Sequence, residues 1–391
     1  MKVKHLAIFT SFFSAKWPFD NAKPMGPGGQ DVNRFGSKPA PAAPPEKGPA
    51  PPETGLIGRL ARSLAARVAI SLLLAGGLLF LFLRQVQLQP LGQAIRSASP
   101  GWLAASLGIA VATFVLRAVR WVWLLRPVGR VPFWPAFLAT AVGFAANNLP
   151  ARIGEVIRPA LLSRMQRLPF SALLASILFE RALDGGSVVL FFLLAVALGL
   201  PGSTASRGAF AMLRTGALLG AALFFALIGL AVFLLVRRRA TEKLFDRLSR
   251  RLPERWRPRA KAAVQAFPEG FASLSDRSLI VSVVAASVGM WLIINVQIYA
   301  VMRAFHLDLP FSSAFVVTAA AVLGLAVPTP GGIGSYQAAV QYALTHFYGV
   351  PLAPASGVAI LAWAVSFVPI TLIGLAALAS PRVRARSNRS P

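Results

Sequence analysis

"NNLPARIGEVIRPALLSR" (residues 147–164) follows directly on an apolar run that reads as a membrane helix. It carries two asparagines, two prolines, three arginines and a glutamate. Each of these is costly inside a bilayer unless a partner satisfies it. Either the membrane ends here or the chain turns within it, and the choice decides the topology.

The surrounding composition sets the frame. The chain has 391 residues, a mean hydropathy of +0.64 and 56% hydrophobic residues, with only 14% charged. That balance excludes a soluble globular protein of this size and indicates a polytopic membrane protein. Apolar stretches of about spanning length recur at 66–83, 101–125, 133–148, 171–200, 215–236, 278–301, 311–327 and 355–379. With no cysteine there is no disulfide, thiolate nucleophile or thiolate metal site. His5, His306 and His346 are too far apart in sequence to form a metal-ligand motif. No cofactor, metal or catalytic residue set is therefore expected. The net charge of +27 reads as basic loops facing anionic lipid. No basic folded domain is visible, so nucleic acid is not an expected partner.

Charge then fixes the orientation. Residues 1–67 carry ten Lys and Arg, the loop 237–277 carries twelve, and the tail has Arg382, Arg384, Arg386 and Arg389. All three should be cytoplasmic, and the intervening loops are poorer in positive charge. If every apolar run crossed fully, 237–277 would fall on the wrong side. The conflict disappears if 133–148 enters from the cytoplasm, turns at "NNLPARIGE" and returns, and if 311–327 does the same from outside, breaking at "PTPGGIGS" (328–335). The expectation is an all-α polytopic protein with six full spans, two re-entrant helical hairpins and both termini inside. Irregular backbone at membrane depth must be buried in protein or line a wet cavity, so the opening stretch should face a cavity.

An internal repeat supports this reading. "VPFWPAFLAT" (131–140) and "LPFSSAFVVT" (309–318) share P-F-x-x-A-F-x-x-T at an offset of 178, and "PARIGE" (150–155) matches "PGGIGS" (330–335) as P-x-x-I-G. Both matched blocks fall on the two proposed hairpins, which enter from opposite sides. That is the trace of an inverted-topology repeat, with a site near the midplane. "LPFSALLA" (168–175) begins the same way and has no visible role in the repeat.

The polar residues inside the apolar runs are the candidate lipid-binding or transport residues. Arg117 and Arg120 lie three apart on one helix face. For Arg120, snorkelling to an interface marked by Trp121 and Trp123 competes with a site role. Arg152, Glu155 and Arg158 fall along one side of a helix, and Glu155 can pair with either arginine. Pro150 and Gly154 shape the turn, Gly154 by close backbone approach or positive φ. A helix starting near Pro150 would be capped by Asn147 or Asn148 and would present free N–H groups to an anion. Glu180 and Asp184 sit four apart beside Arg181 and can neutralise the hairpin arginines. In the second hairpin Pro328, Pro330, Gly331, Gly332 and Gly334 make the break and give it mobility. Gln337 and Gln341, one turn apart, give the return helix a polar stripe. For the arginine and carboxylate clusters a structural salt-bridge network is the competing reading.

Together, "RAVRW" (117–121), "NNLPARIGEVIRPALL", "ERALD" (180–184) and "PTPGGIGSYQ" (328–337) resemble the transmembrane, flippase-like region of lysylphosphatidylglycerol synthases and their stand-alone relatives, some of them associated with hopanoid biosynthesis. The resemblance implies a flippase-like membrane domain over 65–380 that moves lipids between leaflets of a bacterial-type cytoplasmic (inner) membrane. It leaves 1–64 as a disordered basic, Pro/Ala-rich cytoplasmic tail and 381–391 as a second tail. The family pattern places a glutamate where this chain has Gln337. The functional expectation is a non-enzymatic lipid flippase or transporter, with Arg117, Arg152 and Arg158 holding an anionic head group. A membrane partner that presents a lipid to a separate lipid-synthesising enzyme, and an intramembrane transferase using Glu180 or Asp184, are the competing readings. Neither substrate nor oligomeric state follows from the sequence.

Overall fold

The computed structural model describes residues 55–84, 86–148, 153–199, 204, 207–236 and 277–379. The helices are α1 (Gly55–Arg84), α2 (Leu88–Ser97), α3 (Pro100–Leu124), α4 (Phe133–Asn147), α5 (Gly154–Gln166), α6 (Phe170–Ala197), α7 (Arg207–Val236), α8 (Arg277–Ala304), α9 (Ser313–Ala326), α10 (Ser335–Tyr348) and α11 (Leu352–Ala379). A 3₁₀ turn at Pro330–Gly332 joins α9 to α10. Among the described residues there is no strand, as expected for a chain that must satisfy its backbone without water. The basic loop 237–276, most of the N-terminal tail, the C-terminal tail, Pro150 and Arg152 lie outside the described residues. α1 begins at Gly55, so the last part of the stretch read as tail is helical.

Helices α3, α8 and α11 are long and apolar enough to cross a membrane, and the sharply bent pair α1–α2 makes a fourth if counted as one span. α6 has 28 residues, but every 18-residue stretch of it contains Glu180, Arg181 and Asp184. α7 has 30 residues. By contrast α4, α5, α9 and α10 have 15, 13, 14 and 14 residues. At about 1.5 Å per residue each falls short of a hydrocarbon core about 30 Å thick. The amphipathic α2 was not foreseen, because it interrupts no apolar run.

The repeat extends well beyond the matched motifs. α3–α4–α5–α6 and α8–α9–α10–α11 each run as a long helix, two short ones and a long one. The packing is reciprocal: α4 lies on α11 and α9 on α6, α3 contacts α11 as α8 contacts α6, and α3 and α8 pair with each other. Ser99 N–H donates to Ala304 O at 2.8 Å, so the start of α3 meets the end of α8 and the pair is antiparallel. Leu168-Pro169-Phe170 gains a role here. It follows Arg167 at φ +56 and opens α6, just as Val350-Pro351-Leu352 follows Gly349 at φ +62 and opens α11. A left-handed residue ends the helix and proline starts the next one.

Within each hairpin the two short helices pack side by side. Gly154 makes the first closure possible. A Cβ there would run into the carbonyl oxygen of Gly143 and the side chain of Asn147, so close approach, not positive φ, is its reason. In the second hairpin Gly331, Gly332 and Gly334 have φ of +59, +70 and +84. A Cβ on Gly334 would also lie 2.7 Å from the backbone nitrogen of Leu79 in α1. These glycines serve a required left-handed conformation in a buried turn.

Candidate functional site

Helices α3, α5, α6 and α8 bring the scattered charges together. Arg117 and Arg120 project from α3 toward Glu180 and Asp184 on α6. Arg117 Nη1 lies 3.4 Å from Glu180 Oε1 and 3.1 Å from Asp184 Oδ2. Arg120 reaches both acids, Nη1 to Asp184 Oδ1 at 2.7 Å and Nη2 to Glu180 Oε1 at 3.0 Å. Arg158 of α5 lies 3.1 Å from Glu180, and Arg181 Nη2 lies 3.1 Å from each carboxylate. α8 contributes Trp291, whose Nε1–H donates to Asp184 Oδ1 at 3.1 Å, and Ser287, whose Oγ accepts from Arg120 at 2.8 Å. Glu180 is fully buried and Arg120 is 1% exposed. Buried charges persist only when paired and hydrogen-bonded, and here two carboxylates hold four guanidiniums.

This geometry corrects several expectations. Arg120 does not snorkel, since it is locked between both acids. Trp121 is no interfacial anchor. It is fully buried, with the Arg158 guanidinium 3.9 Å from its ring centre and its own N–H on Ser176. Glu155 does not pair with Arg158, which turns away to Glu180, and Glu155 stays exposed. The second short helix begins at Gly154, with Ile153 and no side-chain bond at its cap. Asn147 closes α4 and Asn148 caps that helix's C-terminus, so neither asparagine caps α5.

A cavity of about 450 Å³ opens beside the cluster, between the two hairpins. Of the predicted residues, Arg117, Asn147, Asn148, Glu155, Arg181, Asp184, Gly331 and Gly332 line it. The hairpin tips approach each other there. Asn148 sits against Gly331 and donates to Thr371 of α11, while Trp363 of α11 donates to Gly331 O at 2.7 Å. Pro330 opens the buried 3₁₀ turn, and Pro328 O accepts from Ser71 of α1 at 2.6 Å. Arg120 and Arg158 stand behind the wall and hold the acids. Gln337 and Gln341 do not reach the cavity. Gln337 Oε1 accepts from Gly334 N–H at 2.8 Å and caps α10, and Gln341 donates to Ser356 of α11. Their polar stripe is structural.

Arg181 stands apart from the other three arginines. Its side chain is 36% exposed, against 8%, 1% and 4% for Arg117, Arg120 and Arg158. Its carboxylate partners are also held by the other three arginines. Sequence reasoning missed Trp291, Thr318 and the Tyr336 hydroxyl, all on residues lining the cavity. A signal existed for the first: Trp291, Asn295 and Gln297 interrupt an aliphatic run with polar groups.

Residues 68–374 match the family described as the lysylphosphatidylglycerol synthase TM region. The chain belongs to that family. The match takes in both hairpins, the arginine–carboxylate cluster and the cavity, and agrees with the resemblance carried by the four motifs. No curated protein matches the chain. As a lysylphosphatidylglycerol synthase TM-region protein, the chain is a multi-pass membrane protein related to lipid handling. Where the resemblance implies a glutamate, the neutral Gln337 makes the capping bond of α10 with its amide oxygen.

Proposed function

We propose that this protein is a lipid flippase or transporter of a bacterial-type cytoplasmic membrane, moving a lipid with an anionic head group between leaflets. One observation carries the reading: a cavity between two helical hairpins has two arginines, Arg117 and Arg181, on its wall. Guanidinium matches the planar, bidentate geometry of phosphate. Arg117 and Arg181 meet the head group, while Arg120 and Arg158 hold Glu180 and Asp184 in place. This shifts the expected role of Arg158 from ligand contact to support.

The proposed topology has six spans, α1, α3, α6, α7, α8 and α11, with α4–α5 re-entrant from the cytoplasm and α9–α10 from outside. The packing supports it. Val131 before α4 and Leu168 after α5 join one core cluster with Val283 near the start of α8 and Ala377 near the end of α11. Those two helix ends attach the basic loop and the basic tail. The ends of α9–α10 instead pack with Ala98, Phe305 and Val350. The function is non-enzymatic in this reading. In this reading Glu180 and Asp184 serve as anchors for the arginines that surround them.

The test is a leaflet-exposure assay in proteoliposomes containing this protein alone and labelled lipids. Wild type is expected to move anionic phospholipid, and Arg181→Gln, folded by its unchanged thermal transition, to lose most of that movement. Movement equal in both would remove the cavity arginine from the mechanism. A folded wild type that moves no lipid would point to a protein that presents lipid to a synthesising enzyme.

A further inference from the structure

The duplication reaches one helix further back in each half. "LLAGGLLF" (73–80) in α1 and "LLGAALFF" (218–225) in α7 share L-L-x-x-x-L-x-F around three small residues, at an offset of 145. α1, followed by the short α2, precedes the first repeat, and α7 precedes the second. The two helices are therefore equivalent in the chain, but their packing is not. α1 lies on the second hairpin, against the 3₁₀ turn and α10. There Ser71 donates to Pro328 O, and Gly334 sits against Ala75 and Leu79. The repeat would place α7 on the first hairpin in the same way. It packs on α6 instead, with Phe224 over Gly185 and Gly186.

The hairpins differ to match. Ser335 and Tyr336 begin α10 and are 5% and 3% exposed, whereas their counterparts Glu155 and Val156 begin α5 and are exposed. Each helix also carries the unused face that the other one uses. Ser71 and Ala75 are buried on α1, and their counterparts on α7, Gly216 and Gly220, have open space where a Cβ would point. Ala217 and Ala221 are buried on α7, and their counterparts on α1 are the exposed Leu72 and Gly76, the latter with nothing near a Cβ. Small residues let membrane helices approach closely, so both free faces are fit for packing. Two equivalent halves in two unequal arrangements have a second state, in which the arrangements are exchanged. Resting on the transporter reading above, we propose that α1 and α7 alternate as covers of the two hairpins. In the exchanged state α7 lies on the first hairpin through Gly216 and Gly220, and α1 leaves the second hairpin for α11. The turn that α1 covers from behind carries Thr329, Gly331 and Gly332 of the cavity wall, so its release opens that wall while the other closes.

The experiment uses the full-length protein in liposomes, into which cysteines can be placed freely because the chain has none. Ser71→Cys with Pro328→Cys joins α1 to the second hairpin in the arrangement described above. Gly216→Cys with Asn148→Cys is the equivalent pair and should join in the exchanged state. Each is treated with a short, reducible thiol cross-linker and read by mass spectrometry of the linked peptides. Both pairs are expected to link, and in a four-cysteine protein no molecule should carry both links. Linking the first pair should slow lipid movement about tenfold or more relative to the same protein after reduction. If the Gly216→Cys and Asn148→Cys protein lacks a thermal transition, Gly220→Cys with Leu149→Cys, the next equivalent positions, replaces it. Absence of a link between α7 and the first hairpin, both links in one molecule, or movement indifferent to the first link would each overturn the proposal. If wild type moved lipid and no exchange of links occurred, the flippase reading would survive that failure. If the links exchanged and wild type moved no lipid, the exchange would stand and the flippase reading would fall.

Discussion

The six charged residues of the cluster, Arg117, Arg120, Arg158, Glu180, Arg181 and Asp184, differ in what they do, although the sequence presents them alike. Arg120 touches both acids and is buried, so its removal strands two carboxylates in a low-dielectric core. Arg120→Ala is expected to destabilise the protein by about 3–5 kcal/mol, seen as a large loss of thermal stability in detergent. Arg120→Lys should recover little, because one ammonium cannot reproduce a two-pronged contact with two acids. Arg181→Gln should leave the melting point within a degree or two and act on lipid movement. If the two variants showed the reverse pattern, the division between supporting and ligand-facing arginines would be wrong. The sequence marked all six residues and also placed Glu155 with Arg158. It could not rank them, since exposure depends on which helix lies opposite.

Among the elements, the hairpins were the most legible and their closures the least. Prolines, asparagines and glycines interrupting apolar runs announced a break in each. The reason for each glycine came from its neighbours. Gly154→Ala puts a methyl group into the Gly143 carbonyl, and two backbones cannot yield as a side chain can. It should cost about 1–3 kcal/mol and loosen α4 from α5. Gly334→Ala faces both φ +84 and the Leu79 backbone and should be at least as damaging. Gly108→Ala, on an open face of α3, is the control and should be neutral or slightly stabilising, since nothing lies near the added methyl. Melting curves of the three variants test the set. Gln337, read as part of a polar stripe, is a cap. A helix N-terminus at that point was visible only once Gly334 was placed.

At the scale of the whole molecule the duplication organises the site. Each hairpin packs on the last helix of the other repeat, so the tips meet in the middle and enclose the cavity between them. The proposed orientation has a direct check, because the chain has no cysteine of its own. Single cysteines replacing Ser249 in the basic loop and Ser387 in the tail should be protected from a membrane-impermeant thiol reagent in whole cells. A cysteine replacing Ser97, which is exposed at the end of α2, should react. Labelling of Ser249→Cys from outside would break the re-entrant scheme, since full crossing of every apolar run puts that loop there.

By itself the sequence determined the all-helical membrane class, the two interrupted segments, the family and the polar residues at stake. Hydropathy, charge asymmetry and local breakers are properties of short windows, and they survive without knowledge of partners. Tertiary structure decided that Arg158 rests on Trp121, that Arg120 clamps both acids, that Gln337 and Gln341 are structural, and that Arg181 alone among the four clustered arginines is substantially exposed. Those outcomes depend on contacts between helices far apart in the chain, as with Arg120 and Ser287, 167 residues apart. No local pattern encodes which face of one helix meets which face of another. That pairing follows from the reciprocal packing of two repeats, and with it comes the cavity.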